Sequence, residues 1–291
     1  MQNQNQNQKF MTTQIDLSII IPAYNEEDRI APTLSSYLNY FEKLLSNRFE
    51  VIVVLNGCRD NTLNIVKSFQ KDYPNVKFIN CLAPIGKGGA IARGMQIAKG
   101  DFVGYSDADG STNAQCFDKL YQTIHNFRSH CDCVIGSRNL ANSIVSGKPR
   151  LRTIMSLGFR AGVNLLLKLN IKDSQCGAKL ITRKALQEIL PELVTGNLAF
   201  DVNLLLLLKR HKMHIMEMPI IWKDEQGSKI GHPFKTSVVM AFSVIRLWLM
   251  YLPFANLYQF LQPLGSQVWK LILTAEQIEN RKINLIDELA E

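Results

Sequence analysis

The chain has 291 residues, 46% of them hydrophobic and 20% charged, which supplies a sizeable core. That composition excludes a largely disordered chain and a small disulfide-stapled scaffold. Lysines and arginines number 33 against 25 acids, a formal +8. The excess is concentrated: ten basic residues (Arg138, Lys148, Arg150, Arg152, Arg160, Lys168, Lys172, Lys179, Arg183, Lys184) stand in one block with a single acid, Asp173. A focused positive stretch implies an anionic partner, and on charge alone nucleic acid, nucleotide, phosphorylated lipid and anionic membrane all stay open.

The first 14 residues, opening MQNQNQNQK, form a polar tail without the apolar core of a signal peptide and are expected to be disordered. Leu17–Ile21 is a short apolar run stopped by Pro22, the pattern of a strand buried on both faces. Glu26–Leu45 follows with helical spacing, then a strand over Phe49–Leu55, a helix over Thr62–Phe69 and a strand over Val76–Ile79. Lys87–Ala98 reads as a glycine-containing helix, Phe102–Tyr105 as a strand, Ala114–Phe127 as a helix and Cys133–Ile135 as a fifth strand. Beyond them come a helix over Leu151–Leu169, a return strand over Asp173–Ile181, an apolar helix over Phe200–Arg210 and a late strand over His214–Trp222. Residues 237–261 are almost wholly apolar, rich in aromatics and broken by Pro253, which fits an amphipathic or interfacial segment better than a membrane span, with a core or dimer helix as the other reading. The tail from Ala275 is polar and helical or frayed.

Alternating apolar runs and amphipathic helices predict an α/β fold with a largely parallel sheet flanked by helices. In such sheets ligands bind at the carboxyl ends of the strands. Three polar clusters, Tyr24–Asp28, Asn56–Asp60 and Asp107–Ser111, directly follow strands, which points to an enzyme.

Asp107-Ala108-Asp109 puts two carboxylates at a strand end, able to reach one hard divalent cation and so to neutralise a diphosphate leaving group, although surface turns carry this pattern too. Asp60 either caps the helix from Thr62 or contributes to a polar nest near a nucleotide. Gly86-Lys87-Gly88-Gly89 allows close backbone approach, with Lys87 or Arg93 facing a phosphate, but it is neither a P-loop nor a dinucleotide fingerprint. Arg138, Lys148, Arg150 and Arg152 suit a phosphate or a solvated face, and Asp201 is either a helix cap or a carboxylate aimed at a reaction centre. The five histidines form no metal set, no GxSxG elbow is present, and Cys176 reads as a buried structural thiol.

Taken together, IIIPAYNEEDRI (19–30), EVIVVLNGCRDNT (50–62), GKGGAIARGM (86–95), DADGST (107–112), GSR (136–138), DSQCGAKL (173–180), FDVNLLLL (200–207) and WKDEQGSKI (222–230) resemble family 2 glycosyltransferases of the GT-A fold. The match spans roughly 15–262 and lies nearest the dolichyl-phosphate β-glucosyltransferases and related polyprenyl-phosphate sugar transferases. The resemblance implies a GT-A domain over 15–235 and a C-terminal helical, membrane-associating extension over 236–291. It implies a nucleotide-sugar pocket lined by Pro22, Ala23, Tyr24, Glu26, Asn56, Asp60, Lys87, Asp107 and Ala108. Asp107 and Asp109 would organise Mg2+ or Mn2+ with the diphosphate, Gln175 and Asp201 would join Asp109 at the reaction centre, and Arg138, Arg150, Arg152 and Lys229 would hold an acceptor phosphate.

The implied reaction is inverting transfer of glucose from UDP-glucose to dolichyl or another polyprenyl phosphate, at the cytoplasmic face of a membrane (the endoplasmic reticulum in a eukaryote). Peripheral contact is expected through 237–261, since the N-terminal anchor of the eukaryotic glucosyltransferases is absent here. Two departures stand out: Asn56 where relatives carry an aspartate, and Asn203 where an acid is common. The first leaves GDP-mannose open as donor; a soluble acceptor and a non-catalytic anion-binding scaffold are the remaining alternatives. Nucleic acid is disfavoured, because aromatics are not interleaved with the positive charge.

Overall fold

The computed structural model describes residues 14–147, 150–194, 196–197, 199–223 and 233–251, with 150–152, 154 and 233–237 as backbone only. In chain order the elements are β1 (Leu17–Ala23), α1 (Ile30–Leu45), β2 (Phe49–Asn56), α2 (Thr62–Asp72), β3 (Val76–Cys81), α3 (Gly86–Ile97), β4 (Phe102–Tyr105) and α4 (Ala114–Asn126). Then come β5 (Cys133–Ser137), β6 (Ile144–Ser146), α5 (Arg150–Leu167), β7 (Lys179–Thr182), α6 (Arg183–Ile189), α7 (Phe200–Arg210), β8 (Ile215–Pro219), β9 (Ile221–Lys223) and α8 (Pro233–Met250).

The main sheet runs β3-β2-β1-β4-β7-β5-β8, parallel except for β7, which is antiparallel to both of its neighbours. The reversal follows from chain path: β7 enters between β4 and β5 from the edge at which both of them end. Period-two side-chain alternation divides the core in two. Leu17, Ile19 and Ile21 of β1 pack with α1, α2 and α4, while Ile20 faces α3 and the cluster built by α5, α6, α7 and α8. Gly94 of α3 lies directly on Ile20, where a Cβ would stand 2.9 Å from Cγ1, so the helix seats close against the sheet.

The elements differ from the sequence reading in four places. Helix α1 starts at Ile30 rather than Glu26, because Asn25 adopts φ +54° and residues 26–29 close a turn through Arg29 N–H to Glu26 C=O. The return strand is confined to Lys179–Thr182, with Asp173–Ala178 folded as turns. The run 214–222 holds two strands in different sheets: β8 ends at Pro219, which has no N–H to donate, and β9 pairs in parallel with β6. β6 itself and α6 went unread.

The boundary expected at 236 falls inside α8, whose Val244 and Leu247 are buried with Val163 and Leu167 of α5. Its Phe242 and Ile245 are exposed. Among the described residues no helix is long and apolar enough to cross a membrane. The polar tail over 1–13, Pro253, Lys229 and everything after Tyr251 lie outside the described residues.

Candidate active site

The carboxyl ends of β1, β2, β4 and β5, with the turn entering β7, bring most of the expected site residues to one edge of the sheet. Pro22 and Ala23 close β1, and Tyr24 follows with 44% of its surface exposed. The next loop is laced to the loop after β2. Glu26 N–H donates to Thr62 Oγ1 (2.8 Å), Glu27 N–H to Asp60 Oδ2 (3.1 Å), and Arg59 N–H to Asn25 Oδ1 (2.8 Å). Asp60 Oδ1 accepts from the amide of Thr62 (3.1 Å) and from its hydroxyl (2.5 Å). Burial pushes the Asp60 carboxyl up, but the Thr62 hydroxyl and these amides outweigh it and hold the group below its ordinary range. The Glu26 carboxylate is forked by Arg29. Asp60 and Glu26 therefore brace the two loops and are already satisfied by protein groups.

Asn56, the last residue of β2, accepts from Ile85 N–H through Oδ1 (2.7 Å). That bond settles the orientation of the amide, since only the oxygen can accept. Nδ2, with no hydrogen-bond partner among the described residues, is the donor left for a ligand.

At the end of β4, Asp107 Oδ1 pairs with Lys87 Nζ at 2.6 Å, both side chains about a quarter exposed. Burial raises the Asp107 carboxyl, yet the charge and hydrogen bond of Lys87, with Lys179 and Arg138 behind, bring it below the usual carboxylate range. Ala108 is buried and its carbonyl accepts from Thr33 Oγ1 (2.9 Å). Gly110 takes φ +73°, which folds the turn so that Ser111 N–H reaches Asp109 Oδ1 (2.9 Å). Asp109 Oδ2 has no partner among the described residues. No group of three or more His, Cys, Asp or Glu able to hold a metal occurs among them. Two carboxylates with one free oxygen still fit a hard divalent cation that draws its other ligands from diphosphate and water.

The turn before β7 packs against the Asp107 carboxylate. Gly177 lies against the Asp107 carboxylate so closely that an added Cβ would stand 2.7 Å from Oδ1 and nearer still to Oδ2. Gly177→Ala is expected to displace that carboxylate and lower kcat/KM about 10²-fold, the order for an ångström-scale misplacement. Steady-state kinetics beside a thermal melt checks this; unchanged kinetics would show that Asp107 needs no fixed seat. Gln175 Nε2, in the same turn, is buried with no hydrogen-bond partner among the described residues. Cys176 is fully buried, and burial, with Asp173 adding, pushes its thiol up to about 11, so it stays neutral and structural.

The basic block of the sequence does not form one surface. Arg138 forks Asp173 (Nε–Oδ2 2.7 Å, Nη2–Oδ1 2.9 Å), its amide donates to the same carboxylate, and its guanidinium lies 5.4 Å from the Trp222 ring. Lys179 is buried against Asp201. Arg183 donates to Gly100 C=O at the far edge of the sheet. Arg150 and Arg152 lie in the first turn of α5, with side chains outside the described residues, as is Lys229. Asp201 is the second residue of α7 and makes no cap; its Oδ1 accepts from the Tyr105 hydroxyl and the Lys179 ammonium. Tyr105, Asp173, Gly177 and Lys179 were missed by the sequence reading. The signal available was a lysine opening one apolar segment and an aspartate opening another.

The family model for glycosyl transferase family 2 matches residues 18–190. A dolichyl-phosphate β-glucosyltransferase of Dictyostelium discoideum is 33% identical over 247 residues, covering 82% of this chain and 75% of that protein.

The chain belongs to glycosyl transferase family 2.

Further family members named dolichyl-phosphate β-glucosyltransferase include one from Drosophila melanogaster, 33% identical with 82% and 76% coverage, and one from Homo sapiens, 32% identical with 81% and 76%. The chain is accordingly a glycosyltransferase. Among solved structures, glucosyl-3-phosphoglycerate synthase from Mycobacterium tuberculosis, in complex with Mn2+, UDP and phosphoglyceric acid, superposes with a TM-score of 0.60 at 17% identity, over 81% of this chain and 78% of that one. This likeness bears out the GT-A fold.

Proposed function

We propose that this family 2 enzyme transfers glucose, with inversion, from UDP-glucose to the phosphate of dolichol or another polyprenol. The observation that carries the reading is the Lys87–Asp107 pair beside the free Asp109 oxygen, in a chain aligning over four-fifths of its length with dolichyl-phosphate β-glucosyltransferases. The neighbour structure with UDP and Mn2+ supports a nucleotide diphosphate and a divalent ion at this edge.

Asp107 and Asp109 would hold Mg2+ or Mn2+, which when bound neutralises the diphosphate as it leaves. Lys87 adds a cation: burial works against its charge, but Asp107 and then Asp201 keep the ammonium firmly protonated. Tyr24 offers an exposed ring for a base, and Asn56 Nδ2 a donor for a base carbonyl. A phosphate monoester is already anionic near neutral pH, so the site needs alignment and charge stabilisation more than proton removal. Arg150, Arg152 and Lys229 remain the proposed acceptor-phosphate side, with Gln175 near the sugar; Arg138, forked by Asp173, backs that side rather than holding the phosphate. The exposed Phe242 and Ile245 of α8 favour the 237–261 segment for peripheral contact with a membrane whose cytoplasmic face carries the acceptor.

The test crosses UDP-glucose and GDP-mannose with dolichyl-type and bacterial-type polyprenyl phosphates and a soluble hydroxyl acceptor, in Mg2+ or Mn2+. Glucose on the lipid phosphates is the expected product. Transfer only to the soluble acceptor would overturn the lipid assignment, and mannose alone the donor.

A further inference from the structure

Lys179 opens β7 between Tyr105 of β4 and Ile135 of β5 and has 0% of its surface exposed. Its ammonium donates to Cys176 C=O (2.6 Å) and to Asp201 Oδ1, and lies 5.5 Å from the Tyr105 ring centroid. Tyr105 donates its hydroxyl to the same Asp201 oxygen. Burial first, and then the Asp201 charge, hold that phenol far above its ordinary range, so it acts only as a donor. A carboxylate oxygen has two lone-pair sites, and both on Oδ1 are taken. Asp201 Oδ2 has no hydrogen-bond partner among the described residues. Helix α7 seats against α3 so closely that a Cβ on Gly88 would stand 2.8 Å from Phe200 Cγ, which brings the start of α7, with Asp201, to the helix that carries Lys87.

One ammonium thus ties two parts of the site. It clamps Asp201 at the start of α7 and lies against Tyr105 of β4, while its bond to Cys176 C=O satisfies a further donor. We propose that Lys179 is a positioning residue for sugar transfer: with Tyr105 it fixes Asp201 by one oxygen and leaves the other to accept a hydroxyl of the donor sugar. The inference rests on the reading of this edge as a glycosyl-transfer site. A merely structural role would need only the charge balance, since an unpaired buried carboxylate is costly.

The test measures binding of UDP and of UDP-glucose by calorimetry in Mn2+, for the full chain and for Tyr105→Phe, Asp201→Asn, Lys179→Met and the double variant Lys179→Met/Asp201→Asn. If Lys179 acts through Asp201, UDP affinity stays as in the wild type while the added affinity contributed by glucose falls about tenfold in Tyr105→Phe, and further in Lys179→Met, as suits a hydrogen bond to a charged group. The double variant should match Asp201→Asn alone, because the two changes remove one interaction. Should Lys179→Met fail to fold, Tyr105→Phe and the charge-balanced double variant decide. Equal loss of UDP and UDP-glucose affinity, or wild-type discrimination in Tyr105→Phe, overturns the proposal alone. A wild-type protein that binds neither ligand overturns the functional reading and this proposal together.

Discussion

Asp109→Asn is expected to lower the rate of sugar transfer about 10²–10³-fold, the size of effect seen when one preorganised charge-stabilising group is removed, and to leave the melting temperature where it is in the wild type. Asparagine keeps an oxygen for Ser111 N–H, so the Gly110 turn survives. What changes is the free oxygen, replaced by an amide donor that neither holds a cation nor offsets one. Asp107→Asn has a second consequence, since it also removes the negative charge opposite Lys87 and leaves the ammonium facing a neutral amide oxygen. That variant should lose stability as well as rate, whereas Asp109→Asn loses rate alone. Kinetics at saturating donor, paired with thermal melts and titration of Mn2+ in the presence of UDP, separates the two. An Asp109→Asn enzyme retaining more than about a tenth of wild-type kcat would remove Asp109 from the charge-stabilising set.

Asp173→Ala is expected to destabilise the fold by about 3–5 kcal/mol, the range for removing one partner of a buried ion pair. Arg138 would keep its charge in a largely buried position against Trp222 while losing two side-chain bonds, and its own amide would lose an acceptor. The same pair sets a pH dependence. Burial alone would raise the Asp173 carboxyl, but hydrogen bonds and charge from Arg138 outweigh it and hold the group below its ordinary range. A carboxyl depressed in the folded state contributes stability that is complete above its unfolded value of about 3.9 and disappears as pH falls through the folded value. Urea titrations of wild type and Asp173→Asn should therefore differ by a constant amount from neutral pH down to about 5, and converge below about 4. A difference that grows on acidification would contradict the pairing.

Much of the sheet was legible because β1, β2 and β4 are continuous apolar runs closed by Pro22, Asn56-Gly57 and Ser106-Asp107, and their helices carry regular apolar spacing. The polar clusters behind those strands were legible for the same reason. What escaped was pairing across distance. Arg138 and Asp173 were both counted as charges, and only the fold shows that they neutralise one another 35 residues apart. Likewise Lys179 and Asp201 meet only because β7 slides between β4 and β5 and α7 starts over its end. β6 is too short to show alternation, and Pro219 marks a strand end that the apolar pattern over 214–222 hides. The +8 of the chain was a correct sum with a misleading address, since three of its most concentrated cations are spent on internal partners.

The reversed strand β7 also carries an order of events. Synthesis runs from the amino end, so all the residues of β3, β2, β1 and β4 are made before Lys179. Until then β4 is an open edge, and Asp107 stands without Gly177 or the charge of Lys179 behind it. The late strand closes the edge and delivers the far wall of the site in one insertion. A nascent chain stalled before residue 179 therefore carries the carboxylates of this enzyme but not the enclosure that aims them.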